Sequence, residues 1–286
     1  MELNRKTQVH YQENRVDYIC HTPMYQGIGN KIKGIVSTKK LIGGNRVYWS
    51  ELDKALFPSK NVNYYFPDLD EVHTMEGSYW RGSWRMGLNA GDVPPGFAKT
   101  DKYWWYYMNE PVYPIPPQGM AIDMEYTRIP EPLKNEYRKI FSELRISDHI
   151  LEAADNAAKD FDDDVVAVHI RTWNTRTQEE DIKRYNKLFS MPSYLKELDK
   201  LTDRRFFVAT DDQNAVRFLK ERYGDDRILT QTTGKPYLDT IVDLLLLAKS
   251  NKMILTPFST FSEVAWWLGG ATDDVTIAWK GNPPNF

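Results

Sequence analysis

Val165-Val166-Ala167-Val168-His169-Ile170-Arg171 decides the fold. Four small aliphatic residues in succession suit a strand buried on both faces, as in a parallel sheet covered by helices. The run then ends abruptly in His-x-Arg. Ligands of parallel sheets bind outside the carboxyl ends of the strands, so these two side chains stand where such a ligand would lie. A guanidinium there offers a planar fork of permanently charged donors suited to a phosphate or pyrophosphate. The alternative is an arginine paired with a nearby carboxylate of the fold, and the strand alone does not separate the two.

Outward from this strand the pattern alternates. Downstream, a helix is expected around 193–201, a strand at 205–210, a helix at 213–223 closed by Gly224, and a short strand at 227–230. A helix at 237–250, a strand at 253–256, a helix at 259–268 and a last strand at 275–279 complete that half. Upstream, helices are expected at 132–144 and at 147–160, the second opened by a Ser147 cap. The amino-terminal half starts with a strand at 16–20, a Gly27-Ile28-Gly29-Asn30 turn, a helix at 31–42 and a strand at 45–50. Between about 57 and 118 prolines and aromatics crowd together and no period is sustained. This βαβα rhythm in both halves predicts an α/β protein of two Rossmann-like domains, each with a parallel sheet. The expected division is 1–130, with the irregular aromatic-rich insert, and 131–286.

Bulk properties exclude several classes. The formal charge of -3 leaves no basic excess to neutralise a polyphosphate backbone, so no nucleic-acid partner is expected. Cys20 is alone, which rules out an intramolecular disulfide framework. No apolar run reaches membrane-spanning length, and Met-Glu-Leu-Asn-Arg-Lys is not a signal peptide. A soluble, cytoplasmic protein without a membrane span is therefore expected. The five histidines are scattered without a metal-ligand spacing, so no metal site is expected.

Several motifs bear on chemistry. Gly27 and Gly29, between a strand and a helix, would let backbone amides approach an anion, although Ile32 occupies the third position of a dinucleotide fingerprint and a plain tight turn fits as well. In Thr256-Pro257-Phe258-Ser259-Thr260-Phe261-Ser262, hydroxyls meet a helix start, which suits phosphate or, more simply, an N-cap at Ser259. Asp243 interrupts an apolar helix and must find a partner, either a nucleobase edge or a local group. Asp68 and Asp70, on a turn placed after a third strand, and Glu179 are candidate general bases or solvated loop acids. Trp80, Trp84 and Trp104 are candidates for a sugar-stacking wall in the acceptor region, or for core packing.

Gly27-Ile28-Gly29-Asn30, His169-Ile170-Arg171, Ala209-Thr210-Asp211-Asp212, Val242-Asp243 and Phe258-Ser259-Thr260-Phe261-Ser262 occur in an order that resembles the fucosyltransferase-like glycosyltransferases of the α1,6-, α1,2- and protein O-fucosyltransferase type. The resemblance implies a GT-B architecture with a nucleotide-sugar in an interdomain cleft, no cofactor or essential metal, and inversion at the anomeric carbon. It also implies roles. Arg171 would hold the leaving diphosphate, and His169 and Asp243 would contact base or ribose. Ser259 and Thr260 would bind phosphate oxygens, while Gly27, Gly29 and Asn30 would close on the pyrophosphate.

One departure bears on the donor. Many relatives carry His-x-Arg-Arg, whereas Thr172 follows Arg171 here, with Lys31, Lys33 or Arg176 as compensating charges. UDP-xylose, as in similar viral xylosyltransferases, is therefore expected beside GDP-fucose as donor, with a glycan as acceptor. For the base, Glu179 stands at the offset from His169 where α1,6-fucosyltransferases carry an acid; Asp68 and Asp70 are preferred here because an inverting base must face the acceptor domain. The rival expectations are a nucleotide-sugar hydrolase or epimerase and a non-catalytic glycan-binding module.

Overall fold

The computed structural model describes residues 19–22, 27–42, 45–49, 61–71, 79–81, 131–172, 190–257 and 259–281. The chain divides into two compact units, Met1–Asp148 and His149–Asn285.

In the first unit, strands β1 (Ile19–Thr22), β2 (Arg46–Trp49), β3 (Asp70–Glu71) and β4 (Tyr79–Arg81) form a parallel sheet in the order β3-β2-β1-β4. Helix α1 (Ile28–Ile42) joins β1 to β2 and buries Ile28, Ile32, Ile35 and Val36, the spacing of one helical face. It starts one turn earlier than expected, so Gly29 and Asn30 lie inside the helix and not in a turn before it. Helix α2 (Val62–Tyr65) is a single turn capped by Asn61, whose side chain accepts from the Tyr64 amide at 3.2 Å. It delivers Tyr65 into a stack on Trp49, centroids 5.8 Å apart.

Helix α3 (Glu131–Ser142) buries Tyr137 and Phe141 and packs against α1. The Ser147 amide then donates to the Tyr65 carbonyl at 3.0 Å. These ties hold 131–148 in the first unit, so the division falls later than the sequence placed it. Ser147 stands just before the helix that starts at Asp148, and its hydroxyl faces the Asn63 carbonyl at 3.5 Å.

The second unit holds helix α4 (Asp148–Ala157), strand β5 (Val165–Ile170), helix α5 (Met191–Leu198), strand β6 (Arg205–Thr210) and helix α6 (Gln213–Tyr223). Strand β7 (Ile228–Leu229), helix α7 (Pro236–Lys249), strand β8 (Met253–Leu255), helix α8 (Thr260–Leu268) and strand β9 (Val275–Ile277) follow. The sheet is parallel, with order β7-β6-β5-β8-β9. The chain thus works outward from β5 through β6 to β7, then crosses back to β8 on the other side of β5. That reversal is the topological switch point of a doubly wound sheet, where a crevice opens at the carboxyl ends of the two central strands.

Every residue of β5 is buried. Each large aliphatic side chain there contributes on the order of 1.5–3 kcal/mol, enough to carry one buried but hydrogen-bonded histidine. Helix α7 starts with Pro236 in its first turn and buries Leu238, Ile241, Val242 and Leu244 through Leu247, which accounts for its apolar sequence.

Candidate active site at the switch point of the second sheet

His169 and Arg171 leave β5 directly opposite the loop that joins β8 to α8. The two strands pair through Ala167↔Met253 and Val168↔Ile254, and beyond that point a side chain takes over. Thr256 Oγ1 donates to the His169 carbonyl at 2.7 Å and accepts from the Arg171 amide at 3.0 Å. In a parallel ladder a single residue of the neighbouring strand makes this pair of bonds with its own N–H and C=O. Here a hydroxyl makes both, so the Thr256 backbone is released to turn away. Its amide donates to Ser262 Oγ at 3.2 Å, on the first turn of α8. Thr256 is fully buried, and Tyr194 of α5 brings its hydroxyl to the same oxygen at 2.7 Å. The single Thr256 proton is already given to His169, so Tyr194 is the donor in that bond.

His169 is 5% exposed, with Nδ1 2.6 Å from Ser262 Oγ and its ring tilted over Phe261 at 4.9 Å between centroids. Burial, reinforced by the Arg171 charge, pushes its pKa down to about 3. It is a neutral hydrogen-bonding group here and not a cation. Ser259 is the N-cap of α8, its hydroxyl accepting from the Ser262 amide at 3.4 Å, and Thr260 opens the helix. The first-turn amides of α8 and the positive end of its dipole thus face the crevice side of β5. Glu263, in that first turn, is fully buried and accepts from the Trp267 indole at 3.4 Å.

Arg171 NH1 lies 2.7 Å from Asp211 Oδ2, at the carboxyl end of β6. The contact is an ion pair poorly aligned as a hydrogen bond, since Oδ2 accepts none; Oδ1 accepts from the Thr172 amide at 2.9 Å and its hydroxyl at 3.1 Å. The carboxylate partner left open by the sequence is therefore Asp211. The side chain of Arg171 nonetheless keeps 29% of its surface exposed, so the pair sits at the mouth of the crevice.

Asp243 accepts from Gln231 Nε2 at 2.7 Å through Oδ1. Burial pushes its pKa up to about 7; the Gln231 bond opposes this and the Asp239 charge adds to it. Asp239, in the first turn of α7, accepts from the Thr233 hydroxyl at 2.7 Å and from that of Thr232 at 3.3 Å. The loop at the carboxyl end of β7 is thereby pinned beside Asp243.

In the first unit, Gly27 is exposed with open space where a Cβ would stand, and its carbonyl accepts from the Lys31 amide at 3.3 Å. The residue needs glycine for no reason of local sterics. Lys31 and Lys33 are fully buried on α1, with the Lys31 ammonium 4.1 Å from the centre of the Trp49 ring.

Asp68 and Asp70 differ in place from the expectation. The Asp68 turn precedes β3 and does not follow it, because residues 61–65 form a helical turn and the strand begins only at Asp70. In a parallel sheet this is the amino edge, opposite the edge that α1 enters. Asp68 pairs with Arg145 at 3.3 Å and Asp70 with Arg46 at 3.7 Å, all well exposed. Trp80 is the middle residue of β4, in register with Cys20. Trp84, Trp104, Arg176 and Glu179 lie outside the described residues. Among the described residues no group of three His, Cys, Asp or Glu could hold a metal ion, and no helix is long and apolar enough to cross a membrane.

POFUT1 in complex with GDP-fucose aligns with a TM-score of 0.51, covering 91% of this chain and 97% of that one. The chain has the fold of a fucosyltransferase. At 14% identity the likeness is one of fold, the GT-B type with its parallel α/β sheets. POFUT1 in complex with GDP matches at a TM-score of 0.49, 14% identity and coverage of 93% and 99%. The fucosyltransferase NodZ from Bradyrhizobium matches at 0.47, 14% identity and coverage of 87% and 91%. No protein-family model matches the sequence, and no curated protein does.

Proposed function

We propose that this GT-B chain is an inverting, metal-independent glycosyltransferase that moves one sugar from a guanine nucleotide-sugar, GDP-fucose as first choice, to a glycan hydroxyl. One observation carries the reading: Arg171 and the capped first turn of α8 flank the switch point of a Rossmann-ordered sheet. The acceptor oxygen attacks the anomeric carbon, the bond from that carbon to the β-phosphate oxygen breaks on the opposite face, and the acceptor proton passes to a carboxylate. Charge that builds on the departing diphosphate meets the Arg171 guanidinium and the α8 amides with Ser259 and Thr260. Arg171 and Asp211 sum to zero charge, so oriented donors matter more there than net positive potential.

Asp243 supports guanine. Its bond to Gln231 engages one carboxylate oxygen. The other suits a base edge with adjacent N–H donors, which guanine has, whereas uracil flanks its single N–H with carbonyls. His169 would contact base or ribose. Gly27, Gly29 and Asn30 would contact the pyrophosphate, as the resemblance implies. For the base we place Glu179 ahead of Asp68 and Asp70, whose exposed ion pairs stand at the amino edge of their sheet.

A thermal-shift panel of GDP, UDP, GDP-fucose and UDP-xylose, followed by transfer assays on glycans, tests the reading. A rise in melting temperature with GDP and GDP-fucose and acceptor-dependent turnover are expected. A response to UDP or UDP-xylose alone would refute the guanine assignment. Donor turnover without any acceptor would make the chain a hydrolase or epimerase, and no response to any nucleotide would leave a glycan-binding module.

A further inference from the structure

We infer that Thr256 and Tyr194 are positioning residues of the diphosphate site: their hydroxyls replace one rung of the β5–β8 ladder and so set how far Arg171 stands from the first turn of α8. The inference rests on the reading of that crevice as a nucleotide-sugar site.

Three observations carry it. The Thr256 hydroxyl bonds the two peptide groups that flank Ile170, the His169 carbonyl at 2.7 Å and the Arg171 amide at 3.0 Å. The backbone of Thr256 bonds instead to Ser262 of α8 at 3.2 Å, so one residue ties the arginine's main chain to the helix that faces it. Tyr194, 1% exposed, completes the coordination of the hydroxyl from a third element, α5. Burial raises the Tyr194 pKa, which keeps its hydroxyl protonated and donating. With all three bonds in place the separation of guanidinium and helix start is fixed before any ligand arrives. A ligand that bridges them then binds to a preformed gap. A base held by Asp243 gains less from this rung, which reaches the base or ribose only through His169.

The test compares GDP with guanosine by calorimetry in the wild type, Thr256→Val, Thr256→Ser and Tyr194→Phe, with hydrogen exchange of the Arg171 amide measured alongside. Thr256→Val keeps the shape and removes the hydroxyl; Thr256→Ser keeps the hydroxyl. Expected in Thr256→Val is a weakening of GDP by about tenfold, the equivalent of one lost buried hydrogen bond. Guanosine should lose clearly less than GDP, and Arg171 amide exchange should be faster. Tyr194→Phe should act in the same direction with a smaller loss, and Thr256→Ser should bind GDP within about twofold of the wild type. In transfer assays the loss should appear mainly in the donor KM.

Equal losses for GDP and guanosine would show general loosening and overturn the positioning role, as would GDP affinity unchanged in Thr256→Val. Absence of GDP binding by the wild type would refute the guanine-nucleotide reading and the positioning role argued on it. Faster Arg171 exchange in Thr256→Val would then leave the rung as a purely structural bond. Nucleotide binding by the wild type, with Arg171 exchange unaltered in Thr256→Val, would sink the rung alone.

Discussion

At the amino edge of the second sheet, Arg205 reaches Asp164 through two bonds of 2.8 Å and Asp162 at 3.2 Å, and Lys249 meets Asp155 at 2.8 Å. A pocket of about 800 Å³ is lined there by Asp162, Asp164, Arg205 and Lys249 among others. At the carboxyl edge of the same strands, His169, Thr256, Ser259 and Ser262 are buried and linked through shared oxygens, while Arg171 and Asp211 reach the surface. The amino edge has this hollow, yet its charges satisfy one another in solvent, where such a pair contributes roughly 0–1 kcal/mol. At the carboxyl edge a polar group deprived of its partner costs about 1–3 kcal/mol. Volume alone is therefore a poor guide to chemistry here; the edge that holds polar groups dry and oriented is the better one.

The sharpest way to break this comparison is Arg171→Ala. Transfer should fall by about 10²–10³-fold, the scale of removing one donor to a developing oxyanion, while the circular dichroism spectrum stays that of the wild type. Near-normal turnover would move the site elsewhere. Next in size is Ser262→Ala, which leaves His169 Nδ1 and the Thr256 amide without their buried partner. Denaturant unfolding should register a loss of about 1–3 kcal/mol, and a change below a few tenths would mean the network is not held in solution.

Protonation separates two ionisable groups of the carboxyl edge. Asp243 titrates near 7 in the folded chain and near 3.8 when unfolded, so the folded state holds the extra proton and stability falls as pH rises between those values. His169 titrates near 3 folded and near 6.5 unfolded, so the unfolded state takes up the extra proton and stability falls as pH drops through that window. Asp243→Asn should flatten the decline toward neutral pH, and His169→Asn the decline on the acid side, in melting curves collected from pH 4 to 8. Affinity for the guanine donor should also improve as pH rises through about 7, when Asp243 gains its charge. An affinity that is flat or declining there would remove Asp243 from base recognition.

The smallest effects belong to the exposed edges. Arg205→Ala in the second unit, and Asp68→Asn and Asp70→Asn in the first, should each cost less than about 1 kcal/mol and leave kcat within about twofold. A large loss of turnover in either aspartate variant would restore it as the base, and full turnover in Glu179→Gln would do the same.

The second unit was legible where elements are long and periodic. Strand β6 and helix α6 begin and end at the residues expected, and the all-aliphatic start of β5 identified a strand buried on both faces. The stretch read as irregular hides α2, β3 and β4, elements of two to four residues too short to display a period. That omission misplaced the Asp68 turn, because the residues before it form a helical turn and the strand starts only at Asp70. At the site, Ser259 and Ser262 could be picked from the sequence because capping is local. Asp211 falls within the Ala209–Asp212 motif but has no role legible there, since its partner is 40 residues away across the sheet. Tyr194 and Glu263 gave no sequence signal beyond a tyrosine on an apolar helix face and an acid one turn after a cap. Their partners are set by tertiary packing.

The hydroxyl that stands in for a peptide group has a consequence for sequence variation. Position 256 lies under the crevice, fully buried, yet it acts as a spacer of fixed length between a strand end and a helix start. In a saturation library its tolerated alphabet should shrink to serine and threonine, while ligand-facing neighbours accept broader replacement. The narrowest tolerance in the molecule would then fall on a residue that no bound molecule ever meets.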